Sequence, residues 1–489
     1  MKVLICASEC SPLVKVGGIA DVIGSFPIAI KNNGVDARVV LPYYKPLEDT
    51  INSTNIIKTT KREDFKIEFD HILENVEIYE TNIPSSDIPV YLIKNEKYIS
   101  NGGIYFSPRT MNSPDDELLR FAFFSKAVGE IFGRNNSIFN PNIIHCNDWH
   151  TGMVPQVIQN MLRYQSQDVP KTVFTIHNLA YQGFSKVEVA EKVGIDLSKD
   201  QTLKWDAQDD NLDFVLQGIV GANYITTVSE KYAKEIQTPD YGEGLHEILA
   251  ARKDRLSGII NGISYDIFNP STDNYLFSQY GLSNVSVGKR VNKTELQREL
   301  DMNIDESKPL IGIISRLAHQ KGLDLVADTV LDILTIGFQI IILGTGDPQL
   351  ELRFNEFNKN SHINKNYKAI IAFSEETARK IYAGSDMFLI SSRYEPCGLT
   401  QLISMKYGSV PVVRGTGGLY DTVREGTTGF TFDAFNKSSM MDALKRAYVC
   451  YIDNKTKWNE LVINGMKQDY SWNESGKLYV NLYQKVLSS

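Results

Sequence analysis

Short apolar runs alternate with stretches of helical spacing at both ends of the chain. This alternation limits the fold more tightly than any other feature. The first half carries "KVLICA", "ARVVLPYY", "NIIHCND", "KTVFTIHN" and "YITTVS". The second half repeats the style with "LIGIISR", "QIIILGTG", "KAIIAF", "MFLISS" and "VPVVRG". Apolar runs that end in polar residues and are separated by helical patterns are expected to be buried parallel strands. After the first strand, Val22, Ile23, Phe26 and Ile30 fall at helical spacing, and Gly34 serves as the stop. The expected class is therefore α/β, with two doubly wound domains. Their seam is expected near residues 240–270, where "TPDYGEG" and "NGISYDIFNPSTDN" are rich in turn formers. A chain of 489 residues is too long for one ordinary core, which agrees with two domains.

Composition removes several function classes. The formal net charge of −8 argues against a general nucleic-acid or acidic-membrane surface. A phosphorylated small ligand stays compatible, because a few local Arg and Lys residues suffice to hold it. No apolar run approaches the ~20 residues needed to cross a membrane. "MKVLICASEC" is expected to be a first strand rather than a signal or transit peptide. The five cysteines (Cys6, Cys10, Cys146, Cys397, Cys450) are scattered and odd in number, with no metal spacing. They point to a reducing compartment, the cytoplasm.

Chemistry-bearing residues gather at the ends of the expected strands. "KVGGIADVIG" follows the first strand with Lys15, Gly18 and Asp21. Its glycines let a backbone approach a ligand, but its spacing is neither a Walker loop nor a dinucleotide fingerprint. "GGIAD" at 17–21 returns as "GGLYD" at 417–421, again after a strand and before a helical pattern. We read the two as similar loops facing one cleft, with the ligand between the domains. "SRLAHQKGLDLV" places Arg316 at a strand end and Lys321 beside Gly322, a fork and a point charge suited to adjacent phosphates. A surface Arg and Lys at a helix start would look the same, though the helix dipole disfavours a lysine there. "SSRYEPCGLTQ" offers Glu395 to sugar hydroxyls and the Gly398–Thr400 backbone as donors, while a helix-capping acid is the plainer reading of any one glutamate. Cys397 reads as a small buried residue rather than a nucleophile. "RGTGGLYD" adds Arg414, Thr416, Gly417 and Gly418 in a donor-rich turn, a weak signal alone.

"IHCNDWHTG" and "FTIHN" bring His145, Asp148, Trp149, His150 and His177 to strand ends. Zinc is disfavoured, because His145, Asp148 and His150 are not at helical i, i+4 spacing and no second ligand pair accompanies them. A histidine or aspartate that orients sugar hydroxyls fits better, and His145 and His150 read as structural. The chain has no Gly-x-Ser-x-Gly elbow, Walker loop or Rossmann glycine fingerprint.

Taken together, these motifs resemble those of bacterial glycogen synthases and plant starch synthases over nearly the whole chain. "SECSPLVKVGGIADVIGSFP" is similar to that family's N-terminal signature. "SRLAHQKGLDL", "SSRYEPCGLTQLISMKYGSVPVV" and "RGTGGLYDTV" are similar to its C-terminal ones, in order. The resemblance implies a GT-B architecture of two Rossmann-like domains facing across a cleft, over residues 1–245 and 246–469. It also implies a terminal helix, about 470–489, returning to the first domain. It implies transfer of glucose from ADP-glucose or UDP-glucose to the non-reducing end of an α-1,4-glucan, with retention and without metal or other cofactor.

The resemblance assigns Arg316 and Lys321 to the diphosphate and Glu395 to the donor sugar. Cys397, Gly398, Leu399 and Thr400, with Thr416, Gly417 and Gly418, would help hold phosphate and sugar. Phe373 falls where a base-stacking tyrosine is usual. Lys15, Gly18, Asp21, Asp148, His177 and Asn178 would come from the first domain, and Asn261 would sit near the hinge. Several positions depart from the family pattern. Ile403 stands where related transferases carry a second glutamate, which favours the synthases. Val16 and Ile19 replace the usual neighbours in the glycine turn, and Ser264 replaces an aspartate. "YISNGGIYF" lacks the usual Asp-Arg-Pro-Gly stretch, so no sugar contact is carried to Tyr98. A transferase using another sugar nucleotide or a small acceptor, and a non-catalytic glucan-binding relative, are the alternatives. The second would predict damage at Lys15, Arg316, Lys321 or Glu395, and all four are present.

Overall fold

A computed structural model describes residues 1–54, 57–106, 113–165 and 169–489. The chain divides into two compact units. Met1–Val228, Ala233–Gly262 and Trp472–Ser489 form the first; Ser229–Tyr232 and Ile263–Ser471 form the second.

In the first unit, β1 (Lys2–Cys6), β2 (Asp36–Pro42), β3 (Thr60–Phe69), β4 (Ile72–Asn82), β5 (Pro89–Lys94), β6 (Ile143–Asn147) and β7 (Lys171–Ile176) are followed by a small ribbon of β8 (Phe184–Lys186) and β9 (Asn211–Asp213), then by β10 (Tyr224–Thr227) and β11 (Leu256–Gly258). The main sheet runs β11-β10-β7-β6-β1-β2-β5-β4-β3. The strands from β11 to β5 are parallel, and β4 and β3 extend the edge as an antiparallel hairpin. Parallel strands covered on both faces need continuous apolar sequence. β6 is buried at all five positions, and β1 at all but the first.

The helix Gly18–Asn32 buries Ala20, Val22, Ile23, Phe26, Ala29 and Ile30, the stripe that its spacing predicts. Asp21 in its first turn and Lys31 in its last suit the helix dipole. Helix Trp472–Ser488 packs on it, with Phe26 against Tyr479 at 4.6 Å between ring centroids.

The second unit holds one parallel sheet of β12 (Leu310–Ile314), β13 (Gln339–Leu343), β14 (Tyr367–Ile370), β15 (Met387–Ile390), β16 (Val410–Arg414) and β17 (Phe430–Phe432). Its order is β14-β13-β12-β15-β16-β17. The chain winds outward from β12 to β14, then returns beside β12 and winds the other way. The first sheet does the same about β1 and β6. Both sheets thus have a switch point, where the connections leave on opposite faces and open a crevice at the carboxyl ends of the strands. No helix among the described residues is long and apolar enough to cross a membrane.

Candidate active site

The switch point of the second unit lies between β12 and β15. After β12 the chain passes Arg316 and makes a single 3₁₀ turn, His319–Lys321, that ends on Gly322. Gly322 has φ +64°, and a Cβ there would lie 2.3 Å from the Ser391 carbonyl oxygen. Only glycine lets this turn press against the segment after β15. Ser391 Oγ ties the two together by donating to the carbonyls of Lys321 (3.2 Å) and Gly322 (3.1 Å).

This approach delivers Lys321 Nζ to Glu395, at 2.9 Å from Oε1 and 2.7 Å from Oε2. Ser392 Oγ donates to Oε2 at 2.8 Å. Glu395 is only 7% exposed, so each of these bonds offsets the cost of holding a carboxylate away from water. A small cavity beside the pair is lined by Ser315, Lys321, Ser391, Glu395, Leu399 and Thr400. Helix Thr400–Lys406 starts there, and no described residue accepts from the backbone N–H of Leu399 or Thr400. Gly398 precedes them at φ +74°. A cation, a buried acceptor and free backbone donors thus share one crevice, as a phosphorylated sugar requires.

Other expected residues stand in different relations to this pair. Arg316 is exposed and makes no ion pair among the described residues. Phe373 follows edge strand β14 and is 82% exposed, an open aromatic face. Cys397 is buried, as a small packing residue should be. Thr416, Gly417 and Gly418 correct the expectation of a donor-rich turn. Thr416 N donates to Arg414 O at 2.9 Å, and Gly418 N to Glu395 O at 3.0 Å. All three residues are buried. A Cβ on Gly417 or Gly418 would lie 2.0 Å from the carbonyl oxygen of Glu395 or Cys397 respectively. These glycines seat the turn that carries Glu395. Gln401 clamps the same turn, its amide nitrogen donating to the Cys397 and Gly398 carbonyls at 3.1 and 2.8 Å.

The first unit gathers its residues at the ends of β1, β6 and β7. Lys15 and Asp21 form an ion pair at 2.9 Å across the start of helix Gly18–Asn32. A Cβ on Gly18 would meet nothing within 4 Å, so the space above this turn is open. Sequence reasoning missed the residue that shapes it. Glu9, 2% exposed, accepts the N–H groups of Val16 (2.5 Å) and Gly17 (2.7 Å) at Oε2, and the Tyr105 hydroxyl (2.5 Å) at Oε1. The available signal was an acid three residues past an apolar strand, where burial is unavoidable.

Asp148 follows β6 at φ +55°, a strained position for a non-glycine residue. Its Oδ1 accepts from His177 N at 2.7 Å, which joins the ends of β6 and β7. Burial pushes its pKa up to about 7, against hydrogen bonds from the His177 and Asn178 backbone. His177 Nε2 lies 2.9 Å from Asn147 Oδ1. The Asn147 amide nitrogen already donates to Cys6 O at 3.0 Å, so Nε2 carries the proton and Nδ1 is left as an acceptor. Burial lowers the His177 pKa to about 4 and keeps the ring neutral. Asn178 Oδ1 accepts from Ala180 N at 3.2 Å, folding the turn beyond.

His145 is a satisfied core residue, as expected, whereas the buried Nδ1 of His150 has no partner among the described residues. His145 bonds Tyr483 (2.6 Å) and Thr175 (2.5 Å) in the core. His150 stacks on Trp149 at 4.0 Å. Asn261 belongs to the first unit and follows β11, 5% exposed, with Oδ1 lacking a partner.

Comparison with known proteins bears on both units. Residues 2–251 match the family described as the starch synthase catalytic domain, and residues 297–460 match glycosyl transferases group 1. The chain is 40% identical to a glycogen synthase of Kosmotoga olearia over 496 residues, covering 100% of this chain and 98% of the relative. It is 39% identical to a glycogen synthase of Clostridium acetobutylicum, covering 100% of both. Among solved structures, the catalytic domain of starch synthase IV from Arabidopsis thaliana, bound to ADP and acarbose, superposes with a TM-score of 0.86 at 30% identity. The match covers 100% of this chain and 99% of that one. A sucrose-phosphate synthase from Thermosynechococcus elongatus, at 15% identity and TM-score 0.60 over 100% of this chain and 99% of that one, shares the fold.

Proposed function

Given that the chain belongs to the glycogen and starch synthase family of GT-B glycosyltransferases, we propose that it transfers glucose from ADP-glucose to the non-reducing end of an α-1,4-glucan, with retention. The observation that carries this reading is the Lys321–Glu395 pair at the second unit's switch point, beside free backbone donors.

In this reading the second unit holds the donor. Arg316 and Lys321 take the diphosphate, whose charge grows as the glycosidic bond breaks, and fixed cations stabilise it there. Lys321 is already ordered by Glu395, so little side-chain freedom is lost on binding. Glu395 and the Leu399 and Thr400 N–H groups face the sugar and phosphate, and Phe373 offers its ring to the base. Asn261, Asp148, His177 and Asn178 serve the sugar and acceptor, with His177 Nδ1 free to accept from a hydroxyl. Lys15, held by Asp21, adds charge at the leaving phosphate. Glu395 is engaged by Lys321 and Ser392, which supports attack on the face the phosphate leaves rather than a covalent glucosyl-enzyme. We place the reaction in the cytoplasm; all five cysteines are free thiols.

The deciding experiment is label transfer from ADP-glucose, and in parallel UDP-glucose, into glycogen. Precipitable label released by an α-1,4-specific amylase is expected, with ADP-glucose the better donor. No transfer from either donor by folded protein overturns the reading, and a trapped glucosyl-enzyme adduct overturns its retaining mechanism.

A further inference from the structure

The first unit carries an arginine cluster at the sheet edge opposite Asp148 and His177. Arg163 lies in the last turn of helix Val154–Gln165. Arg252 caps the end of helix His246–Ala251, and one 3₁₀ turn later Arg255 leads into β11. All three line one cavity of about 220 Å³, together with Gln156, Asp200 and Asn223. Asn223 directly precedes β10 and Arg255 directly precedes β11, which sets the cavity at the amino ends of those strands.

The charges there do not cancel. Asp200 is the one acid among the residues lining this cavity, so it offsets one of three positive charges, and one of its oxygens is already engaged. Its Oδ1 caps helix Gln201–Asp206 by accepting from Thr202 N (2.8 Å) and Leu203 N (3.3 Å). Among the described residues, none of the three guanidinium groups makes an ion pair or a hydrogen bond. Arg252 is half-buried; burial pushes its pKa down, and Arg255 pushes the same way against Asp200. A basic residue at a helix C-terminus complements the dipole, which accounts for one arginine per helix. It does not account for three that line one cavity, where Arg252 and Arg255 repel one another.

A second cavity of about 530 Å³ shares Arg252 and Arg255 and adds Thr202, Glu247, Ile248 and Asp254. Its surface is of a different kind, with two carboxylates and a hydroxyl against an apolar side. Carboxylates accept hydrogen bonds from sugar hydroxyls and repel phosphate.

We propose that the two cavities form one site for a phosphorylated monosaccharide, with the phosphate among Arg163, Arg252 and Arg255 and the sugar hydroxyls on Glu247 and Asp254. Arginine forks match phosphate oxygens bidentately, and the volumes suit a hexose monophosphate. The site is separate from the donor crevice and does not depend on the proposed reaction.

Calorimetry on the full-length protein tests this, with a hexose monophosphate, inorganic phosphate, free glucose and ADP as probes. The hexose monophosphate is expected to bind wild type and Lys321→Met alike. The Arg252→Gln/Arg255→Gln double variant is expected to weaken it at least about tenfold while ADP binding stays within about twofold. Inorganic phosphate is expected to bind more weakly at the same site, and glucose not to saturate. Arg163→Gln, an exposed change that leaves the fold untouched, is expected to weaken the hexose monophosphate about threefold, and it serves if the double variant misfolds. No saturation by about 10 mM overturns the proposal. So does binding that is lost in Lys321→Met and kept in the arginine variants, since that phosphate sits in the donor crevice.

Discussion

Each unit sets a Gly-Gly turn beside a buried glutamate, and the two use that glutamate in opposite ways. In the first, the Glu9 carboxylate grips the turn by accepting the Val16 and Gly17 N–H groups. In the second, the Glu395 carbonyl accepts from Gly418, and its carboxylate is left for Lys321. The glycines differ in parallel. A Cβ on Gly18 meets open space, while one on Gly417 or Gly418 meets a backbone carbonyl. Asp21 pairs with Lys15, whereas Asp421 accepts a backbone N–H from Lys231 at 2.8 Å. One five-residue pattern at equivalent places in two sheets thus makes an open, charged turn in one unit and a packed support in the other. The expectation of two similar loops is corrected by this difference: sequence likeness fixed where the turns sit, and the neighbouring chain decided what they do.

The sharpest break comes from the glutamates. Glu395→Gln is expected to cut turnover by about 10²–10³, the scale of losing one preorganised charged group. It also leaves Lys321 without its counter-charge, so the second unit loses stability. Steady-state rates with saturating donor, paired with circular dichroism, check this; near-normal turnover would remove Glu395 from the site.

Gly417→Ala is next, with an expected stability loss of about 3 kcal/mol, because both the positive φ and the Glu395 carbonyl oppose a Cβ. Gly18→Ala is expected to change stability by less than about 1 kcal/mol yet lower turnover, since its methyl enters space kept for the ligand. Equal urea midpoints for the two variants would erase the contrast.

Glu9→Gln keeps one acceptor for the turn and turns the other atom into a donor facing the Tyr105 hydroxyl. A cost of about 1–3 kcal/mol is expected, with a roughly tenfold fall in kcat/KM as the turn loosens. Unchanged kinetics would make Glu9 a purely structural residue.

The smallest effect is in acid. Burial holds His177 at about 4 and His145 and His150 at about 3. Each binds a proton when unfolded below about 6.5 but not when folded, so its contribution is full above that pH and is lost as pH falls toward 4 and 3. Asp148, raised to about 7, works the other way: its contribution is present below its unfolded value near 4 and is lost as pH rises through 7. The second unit's histidines, His319 and His362, are exposed. Hydrogen exchange between about pH 4 and 8 should show the first unit weakening in acid before the second, and Asp148→Asn should remove the loss toward neutral pH.

All ten strands read from the sequence are continuous apolar runs and all are present, but β5, "PVYLIK", is buried in the same way and was not read. The β3–β4 hairpin was not read either, because "TKREDFKIEF" is exposed along most of its length and reads as a charged loop. Three-residue strands such as β11 and β17 carry too little pattern to detect. In the candidate site, Lys321 and Glu395 stood out as charged residues at strand ends. Their ion pair did not, because it depends on Gly322 letting two distant segments touch. Glu9, Asn147 and Gln401 were invisible for the same reason: they act on backbone groups, whose positions the sequence does not spell out.

Helix Trp472–Ser488 belongs to the first unit, where Tyr483 bonds His145 and Tyr479 packs on Phe26. The second unit is therefore an insertion within the first, and synthesis order and folding order are at odds. On the ribosome, the strand-rich part of the first unit emerges early. The face of helix Gly18–Asn32 meant for that last helix stays bare while the whole second unit is translated. The half made first is thus the half finished last, and it needs shelter from aggregation for as long as its closing helix is still unmade.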